Sequence, residues 1–448
     1  MPSTVGKRAI VIGAGIGGLT AARAVAPYFE HVIIIERDAL PAEPSDRAGT
    51  PQAKHVHALL AGGQRALGEL FPGFEHDLQK GGAVPLRVGF DTRMERPGYD
   101  PFPQRDLGFD SYGLSRALVE FVIRTRLAGD ANVEIRQGCR VEKLTADAKR
   151  STVTGVGYAD ADGKRIDLDA QLVVEASGRG DLTLALLESI GLPKPPVTTI
   201  GVEIAYATAI FQIPEDAPGD WKGVFHLPMP PSSRGALLLP LEGERWILTL
   251  AGRHGDNPPG DEAGFMAFVQ SFRTRTIYEA IRSAKRLGDI VRYRFPESIH
   301  RHYERLDAFP SGLVLLGDAV CRFNPIWGQG MSVAAQEACA LSRRLAHRAG
   351  EQDPLGGFAQ AFFAETASLI VTPWAQAVIP DFIHPQTRGE RPPDFEQSLK
   401  IGLAMTKLAA RDPGVHKLTA EVGSLLKPRT VYMDPELTRR VMAVMAEG

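Results

Sequence analysis

The stretch Ala9-Ile10-Val11-Ile12-Gly13-Ala14-Gly15-Ile16-Gly17-Gly18 decides the fold of this chain. Its apolar half predicts a buried strand that ends where the glycines begin. Gly13 allows a tight turn, Gly15 lets a phosphate approach the N-terminus of the next helix, and Gly18 lets helix and strand pack closely. The predicted helix is Leu19–Ala26, and a second buried strand, His31–Ile35, follows it. This β–α–β pattern predicts a dinucleotide-binding unit.

An acidic residue at the end of the second strand completes the dinucleotide pattern. Glu36 lies 23 residues after Gly13, close to the spacing expected of a carboxylate that binds the adenosine ribose. FAD and NAD both fit this unit, so the pattern does not choose between them. We assign Ala14, Ile16, Gly17 and Arg37 to the same binding turn, together with the three spaced glycines.

A second loop has the composition of a ligand site. It reads Gly317-Asp318-Ala319-Val320-Cys321-Arg322-Phe323-Asn324-Pro325-Ile326-Trp327-Gly328-Gln329-Gly330-Met331. The apolar run 312–316 before it predicts a short strand, and the periodic stretch from about 331 to 349 predicts a helix. Such a loop can direct backbone N–H groups and a helix N-terminus at an electron-rich ligand. Asp318 could accept hydrogen bonds from ribose hydroxyls.

Composition excludes several classes of function. The chain has 448 residues, 44% of them hydrophobic and 23% charged, which is typical of a globular protein. Its formal charge of −2 argues against nucleic acid as a partner. Three cysteines without metal-type spacing fit a reducing cytoplasm, and no apolar run is long enough to predict a membrane span. The glycines at 13–18 interrupt what would otherwise resemble a secretory signal.

The pattern changes near residue 191, where a β-rich second domain with proline-rich turns begins. Strands are predicted at 200–211, 235–240 and 245–250, and helices interrupted by Pro373, Pro380, Pro392 and Pro393 follow residue 354. The fold class is therefore α/β: a Rossmann-type domain, a β-sheet domain and a helical C-terminal region. The first domain is predicted at 1–80, 111–190 and 291–350, the second at 81–110 and 191–290, and the helical region at 351–448.

With the glycine turn, the Ser177-Gly178 turn and the Gly317-Asp318 loop in this order, the chain resembles the group A flavoprotein monooxygenases, the relatives of para-hydroxybenzoate hydroxylase. Within that group, Arg47-x-Gly49-x-Pro51-Gln52 with His55-x-His57, and the loop from Phe323 to Met331, look most like the flavin epoxidases of polyether pathways. The resemblance covers roughly residues 7–345. It implies a Rossmann-type FAD-binding domain with a β-sheet substrate domain.

The resemblance also implies which residues hold FAD. The glycine turn with Glu36 would hold the ADP half, Arg47 and Arg116 the pyrophosphate side, and the Val141 backbone the adenine. Gly178, Gly317 and Asp318 would lie near the ribitol and pyrophosphate, and four residues of the second loop would border the isoalloxazine ring: Pro325, Gly328, Gly330 and Met331.

The implied activity is insertion of one oxygen atom from O2 into an apolar organic substrate through a flavin C4a-hydroperoxide. Alkene epoxidation in natural-product biosynthesis is favoured. A phenol hydroxylase, or an FAD-dependent dehydrogenase or reductase without oxygen insertion, remains the alternative. The catalytic candidates are His55 and His57, although two histidines on a loop are more often hydrogen-bonded structure than catalysts and are too few to hold a metal. Apolar, aromatic and histidine side chains are candidates for the substrate pocket: Phe211, Trp221, Phe225, His226, Met229, Phe323 and Trp327.

One departure from the family pattern concerns the electron donor. Ser177 stands where the family has aspartate before glycine, and no arginine follows Asp181 at the usual distance. Because the family ties that motif to both FAD and nicotinamide handling, NADH or NADPH could reduce the flavin directly or through a separate flavin reductase. Some flavin halogenases and geranylgeranyl reductases also have a small residue there, but this chain lacks the Trp-x-Trp-x-Ile-Pro motif of the halogenases.

Overall fold

The computed structural model describes residues 4–447 and contains two principal β-sheets with helices around them. The strands, in chain order, are β1 (Gly6–Ile12), β2 (Phe29–Ile35), β3 (Val84–Arg87), β4 (Thr92–Glu95), β5 (Asp110–Gly113), β6 (Val133–Arg136), β7 (Arg140–Ala146), β8 (Val153–Ala159), β9 (Arg165–Asp169), β10 (Leu172–Glu175), β11 (Val197–Gln212), β12 (Gly223–His226), β13 (Gly235–Leu241), β14 (Arg245–Arg253), β15 (Arg286–Arg301), β16 (Leu313–Leu315) and β17 (Cys321–Arg322).

The helices are α1 (Ile16–Val25), α2 (Ala61–Leu70), α3 (Phe74–Lys80), α4 (Arg116–Leu127), α5 (Asp181–Ile190), α6 (Glu262–Gln270), α7 (Thr276–Ile281), α8 (Gly330–Arg348), α9 (Phe358–Asp381), α10 (Phe395–Arg411), α11 (Pro413–Gly423) and α12 (Pro435–Ala446). Short 3₁₀ turns lie at Gly317–Ala319 and Pro325–Trp327.

The first sheet is five-stranded and parallel, with the strand order β16-β10-β1-β2-β6. Its central strands are buried on both faces, as the unbroken apolar runs predicted. The β1–α1–β2 unit confirms the dinucleotide-type arrangement. A side chain at Gly18 would overlap the carbonyl oxygen of Gly13, so a glycine is needed there for α1 to pack against β1. The carboxyl ends of β1, β10 and β16 lead into the glycine turn, the Ser177-Gly178 turn and the Gly317 loop.

The second sheet is seven-stranded, in the order β17-β15-β11-β14-β13-β12-β4, and is antiparallel except for the pair β12–β4. Side chains alternate between its two faces. On β11, Ala207, Ala209 and Phe211 pack into the core beneath α6 and α7. Tyr206 and Thr208 occupy the opposite face, where Thr208 contacts His55 of the first domain. We call this second face the inner face.

Helix α9 corrects one expectation from the sequence. Pro373 and Pro380 lie inside a single helix, Phe358–Asp381, and do not interrupt it. Extensive packing of that helix against the first domain offsets the hydrogen bonds that each proline removes. The same helix is the one described segment long and apolar enough to cross a membrane, and 44% of its most apolar stretch is buried inside the protein. Its Phe362 and Phe363 are fully buried, which is typical of a core helix.

The α/β fold class with a helical C-terminal region is confirmed, while the domain boundaries remain predictions. Strand β4, within the predicted segment 81–110, joins the second sheet. Strand β15 runs through residue 290, across the predicted boundary, and its last residues pair with β17 beside the second loop. The two sheets are therefore joined at this point by continuous backbone.

Candidate active site

The glycine turn faces two arginines. A Cβ atom built on Gly15 would lie 3.7 Å from Nη2 of Arg116 and 4.0 Å from Nη2 of Arg47. One buried carboxylate holds both side chains, because Glu120 accepts from Arg47 Nε at 3.1 Å and from Arg116 Nε at 2.9 Å. Arginine forks beside a helix N-terminus suit a pyrophosphate. Sequence reasoning missed Glu120, although its position four residues after Arg116 on a predicted helix was a usable signal.

Glu36 lies beside the glycine turn. Its Oε2 accepts from the Ala14 N–H at 2.6 Å and its Oε1 accepts from the Asp38 N–H at 2.9 Å. The Cys139 N–H donates to the Glu36 carbonyl, which brings the start of β7, and with it Val141, to the same edge. The Arg37 side chain, by contrast, is 67% exposed, and its place at the cofactor stays a prediction.

The second loop, residues 317–331, lies next to this turn. Burial raises the pKa of the Asp318 carboxyl, while Arg116, Arg322 and Arg301 act in the opposite direction. Gly328 has a φ of +63°, and a Cβ there would lie 2.7 Å from the Cβ of Ala58, so glycine is required. Gly330 is the first residue of α8, which no side chain caps at its N-terminus. The first N–H groups of this helix are therefore available to an anionic or carbonyl ligand.

A buried carboxylate of α8 forms a hydrogen bond with the first residue of the loop. Glu337 of α8 accepts from the Gly317 N–H at 2.6 Å. Burial raises the pKa of this carboxyl to about 8, although the Gly317 hydrogen bond lowers it. The sequence showed Glu337 only as one polar position on a predicted helix, and nothing in the pattern distinguished it.

The segment carrying His55 and His57 lies between the two sheets. His55 Nδ1 is 2.7 Å from Thr208 Oγ1 on the inner face, and the Val56 N–H donates to Thr249 Oγ1 at 3.0 Å. His55 Nε2 is buried without a partner. Burial lowers the pKa of His55 to about 4 and that of His57 to about 3. Both imidazoles are therefore neutral near pH 7.

A pair of tyrosines lies on the inner face beside His55. The rings of Tyr206 and Tyr293 are stacked with centroids 6.4 Å apart, and the imidazole of His55 is 5.9 Å and 5.4 Å from them. Ile326 of the 317–331 loop packs against the same cluster. Burial raises the pKa of both tyrosines, so both remain phenols. Period-2 alternation along the predicted strand 200–211 could have identified Tyr206 and Thr208.

The same alternation corrects the predicted substrate pocket. Phe211, Trp221 and His226 lie on the other face of the second sheet, beneath α6 and α7, and not beside the loop. His226 Nδ1 is 2.9 Å from Glu95 Oε2, and its ring stacks on Phe272 at 4.6 Å, so it is a satisfied core histidine. Trp221 lines a cleft of about 400 Å³ on that side.

The remaining pocket candidates occupy different places. Phe225 packs with Val56 on the inner face, while Met229 is 45% exposed in a turn. Phe323 is buried against Trp374 of α9, and Trp327 ends the 3₁₀ turn of the loop. Of the predicted pocket residues, Phe225 therefore lies on the inner face, and Phe323 and Trp327 lie in the 317–331 loop.

One cluster of metal-type ligands occurs among residues 4–447. His300, His302 and Glu304 bring one ligand atom each within 4.8 Å of one another. However, His302 Nδ1 is 2.8 Å from Glu304 Oε1, and its Nε2 is 2.8 Å from Thr198 Oγ1. Both ring nitrogens of His302 thus have protein partners, which is typical of a structural hydrogen-bond chain.

The Ser177-Gly178 turn lies against the first glycine turn, because a Cβ on Gly13 would be 2.9 Å from the Ala176 carbonyl oxygen. The Ser177 hydroxyl donates to Glu175 Oε1 at 2.8 Å, and Glu175 Oε2 also accepts from the Thr183 N–H at 2.9 Å. The serine therefore bonds inward to the end of β10.

The buried, neutral state of His55 has a consequence for stability. Its folded-state pKa of about 4 lies below the ordinary value near 6.5. Below about pH 6.5 the unfolded chain takes up a proton at this residue and the folded chain does not, so stability falls as pH falls towards 4. We expect His55→Asn to reduce the loss of unfolding free energy between pH 7 and pH 5 by about 1–2 kcal/mol.

Urea denaturation at both pH values measures this difference, with the exposed His31→Asn as the matched control. An equal loss in wild type and His55→Asn would show that His55 is not a buried neutral imidazole.

The residues at this site fit a flavin dinucleotide. The guanidinium groups of Arg47 and Arg116 lie beside Gly15, and Glu36 lies at the ribose position of a dinucleotide unit. Along the 317–331 loop, Gln329 Oε1 is a buried acceptor with no hydrogen-bond partner in the protein, and His55 Nε2 is a second buried polar atom without one. Buried polar atoms of this kind usually have a partner, and a bound ligand can supply it.

Comparisons with known proteins agree with this geometry. The family model described as "FAD binding domain" matches residues 7–355. The Mycobacterium tuberculosis protein Rv3254 is 31% identical over 386 residues, which cover 83% of this chain and 80% of that protein.

Solved structures share the fold at lower identity. The p-nitrophenol 4-monooxygenase PnpA from Pseudomonas putida is 20% identical with a TM-score of 0.66, covering 96% of this chain and 100% of that one. The flavin-dependent brominase Bmp2 is 15% identical with a TM-score of 0.67, covering 99% of both chains. From the family match over most of its length, the chain belongs to the FAD-binding group A flavoprotein monooxygenases, the para-hydroxybenzoate hydroxylase type.

Proposed function

We propose that the protein inserts one oxygen atom from O2 into an apolar organic substrate held between the 317–331 loop and the inner face. The observation that carries this proposal is the convergence of Ile326, His55, Tyr206 and Tyr293 beside the loop. Aromatic and apolar walls with few polar groups are typical of small-molecule sites. Bound reduced FAD would supply the electrons and the means of activating O2.

The residues of the glycine turn would hold the ADP half of the cofactor. Arg47 and Arg116 would contact the pyrophosphate, Glu36 the adenosine ribose and Asp318 the ribitol. Pro325, Gly328, Gly330 and Met331 would border the ring, with the N-terminal N–H groups of α8 directed at its electron-rich pyrimidine side. Gln329 Oε1 and His55 Nε2 are the buried acceptor or donor groups still available there.

We favour alkene epoxidation over phenol hydroxylation. Hydroxylation of a phenol is helped by a general base whose pKa is near the working pH. The imidazoles of His55 and His57, with pKa values of about 4 and 3, are weak bases, and Tyr206 and Tyr293 are held as phenols. Epoxidation needs an apolar pocket and no such base. Natural-product alkenes, as in the polyether epoxidases, are the substrate class we propose.

The electron donor is proposed to be NADH or NADPH. Ser177 has a neutral side chain, whose hydroxyl bonds inward to Glu175, so it offers no charge at the family's nicotinamide-linked position. A separate flavin reductase is therefore the second route by which the FAD would be reduced.

The function is tested by assaying purified protein and FAD with an alkene panel and a phenol panel. Each donor is supplied with and without a flavin reductase. Epoxides from the alkenes would support the proposal, whereas phenol hydroxylation with loss of activity in His55→Asn or His57→Asn would favour the hydroxylase. Oxidised products without added oxygen would favour a dehydrogenase.

Loss of the Glu36 carboxylate is expected to weaken cofactor binding. A hydrogen bond to a charged group contributes about 1.5–3 kcal/mol, so Glu36→Ala should raise the Kd for FAD by roughly 10- to 100-fold. Fluorescence titration of the apoprotein measures the change, and Glu36→Gln, which keeps an acceptor, should show a smaller effect. Unchanged FAD affinity in Glu36→Ala would exclude Glu36 from the cofactor site.

A further inference from the structure

We propose that helix α9, which lies beyond the family-matched segment 7–355, positions the 317–331 loop through Gln376 and Asp381. Both residues act through loop side chains and are positioning residues. This inference rests on the proposed role of the loop at the flavin ring. It assigns to the C-terminal region a part in the reaction that neither the glycine turn nor the loop sequence reveals.

Asp381 holds the middle of the loop. Its Oδ1 accepts from Asn324 Nδ2 at 2.9 Å and from Arg253 Nη1 at 2.7 Å, and all three residues are almost fully buried. Asn324 Oδ1 in turn accepts from the Ile326 N–H at 3.2 Å, which starts the 3₁₀ turn of the loop. One carboxylate therefore ties the loop to β14 of the second sheet and to the C-terminus of α9.

The buried charges explain why this contact is specific. Arg253 carries a cation with almost no access to water, and Asp381 is its ion-pair partner. Breaking one side of a buried pair leaves an uncompensated charge, so Asp381 cannot move away from Arg253 without a large penalty. Since Asn324 shares the same carboxylate oxygen, the position of the loop is fixed along with the pair.

Gln376 holds the loop near its C-terminal end. Gln329 Nε2 donates to Gln376 Oε1 at 2.9 Å, and Gln376 Nε2 donates to the Val422 carbonyl of α11 at 2.8 Å. Because the Gln329 amide is held by its nitrogen, its oxygen remains as the buried acceptor without a protein partner. The contact thus fixes which atom of Gln329 is offered to a ligand.

Next to the Asn324 contact, Phe323 packs against Trp374 of the same helix with ring centroids 6.4 Å apart. Helix α9 therefore contacts the loop at residues 323, 324 and 329. A loop held at its middle and near its C-terminal end keeps the N–H groups of that half in one arrangement, which is what orientation of a reacting group requires.

Gln376→Met tests the proposal, because it removes the contact to Gln329 with little change in side-chain size. Gln360→Met is the matched control, since Gln360 is exposed on the same helix and bonds only to the Phe309 carbonyl. Gln376→Glu keeps an acceptor for Gln329 and loses the donor to Val422. Asp381→Asn tests the contact to Asn324. Denaturation of each apoprotein measures its stability.

Two measurements report the position of the loop independently of protein stability. The first is the visible circular dichroism of bound FAD, and the second is the share of reducing equivalents released as hydrogen peroxide. We expect Gln376→Met to change the dichroism, to raise the peroxide share several-fold and to weaken FAD binding by roughly 2- to 10-fold, the loss of about one hydrogen bond. Gln376→Glu should retain the wild-type dichroism even if its stability falls, and Asp381→Asn should alter it.

If wild type binds FAD and turns over, but Gln376→Met and Asp381→Asn match Gln360→Met in both readouts, the positioning role is overturned and the proposed function stands. If Gln376→Glu alters the dichroism as much as Gln376→Met, the effect comes from the Val422 contact and the role of Gln329 is overturned. If folded Gly330→Val binds FAD with the same affinity as wild type, the 317–331 loop does not contribute to FAD binding and the proposed site itself is wrong.

Discussion

Gly330→Val is expected to abolish stable FAD binding while the protein stays folded. Gly330 begins α8 with ordinary helical backbone, and a Cβ built there meets only Asp318 Oδ1, at 3.7 Å, an ordinary contact distance. The apoprotein therefore has room for a Cβ atom at this position. Its branched side chain would occupy the space beside Asp318 and the helix N–H groups, where we propose that the ring and ribitol lie. We expect FAD affinity to fall more than about 100-fold, since several hydrogen bonds are lost together.

The neighbouring Gly328 shows why Gly330 is the informative position. Valine at 328 would require a positive φ and would press on Ala58, so it would damage the loop whether or not FAD binds there. The measurement is a fluorescence titration of apo Gly330→Val with FAD, with thermal denaturation as the control for folding. A folded Gly330→Val protein with wild-type FAD affinity would place the flavin ring elsewhere.

Gly15→Val is expected to have an effect of similar size at the other end of the cofactor. Gly15 caps α1 with φ of −75°, which valine can adopt, and its nearest neighbours are the guanidinium ends of Arg116 and Arg47. The added side chain would fill the space between the turn and these arginines. Because a pyrophosphate needs both the helix N-terminus and the arginine forks, we expect roughly 100-fold or weaker FAD binding.

Gly18→Ala provides the contrast for this experiment. The methyl group added at residue 18 would overlap the Gly13 carbonyl, so we expect Gly18→Ala to lose the folded state. Gly15→Val, in contrast, should stay folded. Parallel measurement of apoprotein denaturation and FAD titration separates the two outcomes. If Gly15→Val retained FAD as well as wild type does, the pyrophosphate could not lie at this turn.

The parts of the fold with strong local signals could be predicted from sequence. The β1–α1–β2 unit follows from spacing and turn chemistry, and the structure contains it. The continuity of helix α9 through Pro373 and Pro380 could not be predicted, because the two prolines oppose the helix locally and only packing with the rest of the protein offsets them.

The site was predictable only where residues act close to the glycine motifs. The prediction that Phe211, Trp221 and His226 line the substrate pocket rests only on their aromatic or histidine side chains. It does not use the two-residue period of a strand, which assigns each residue to one face of the sheet. Contacts such as Asn324–Asp381 and Gln329–Gln376 join residues more than 40 positions apart. No local pattern marks such pairs, since they depend on how the C-terminal helices dock on the first domain.

The most direct test of the account is turnover under ¹⁸O2 with an alkene that the enzyme oxidises. The assay uses FAD and a nicotinamide donor, with a flavin reductase where one is needed, and mass spectrometry of the product. The account predicts an epoxide that carries one labelled oxygen atom per molecule, with no label when ¹⁸O is supplied only in the water. A product that is oxidised but carries no oxygen from O2 would contradict it.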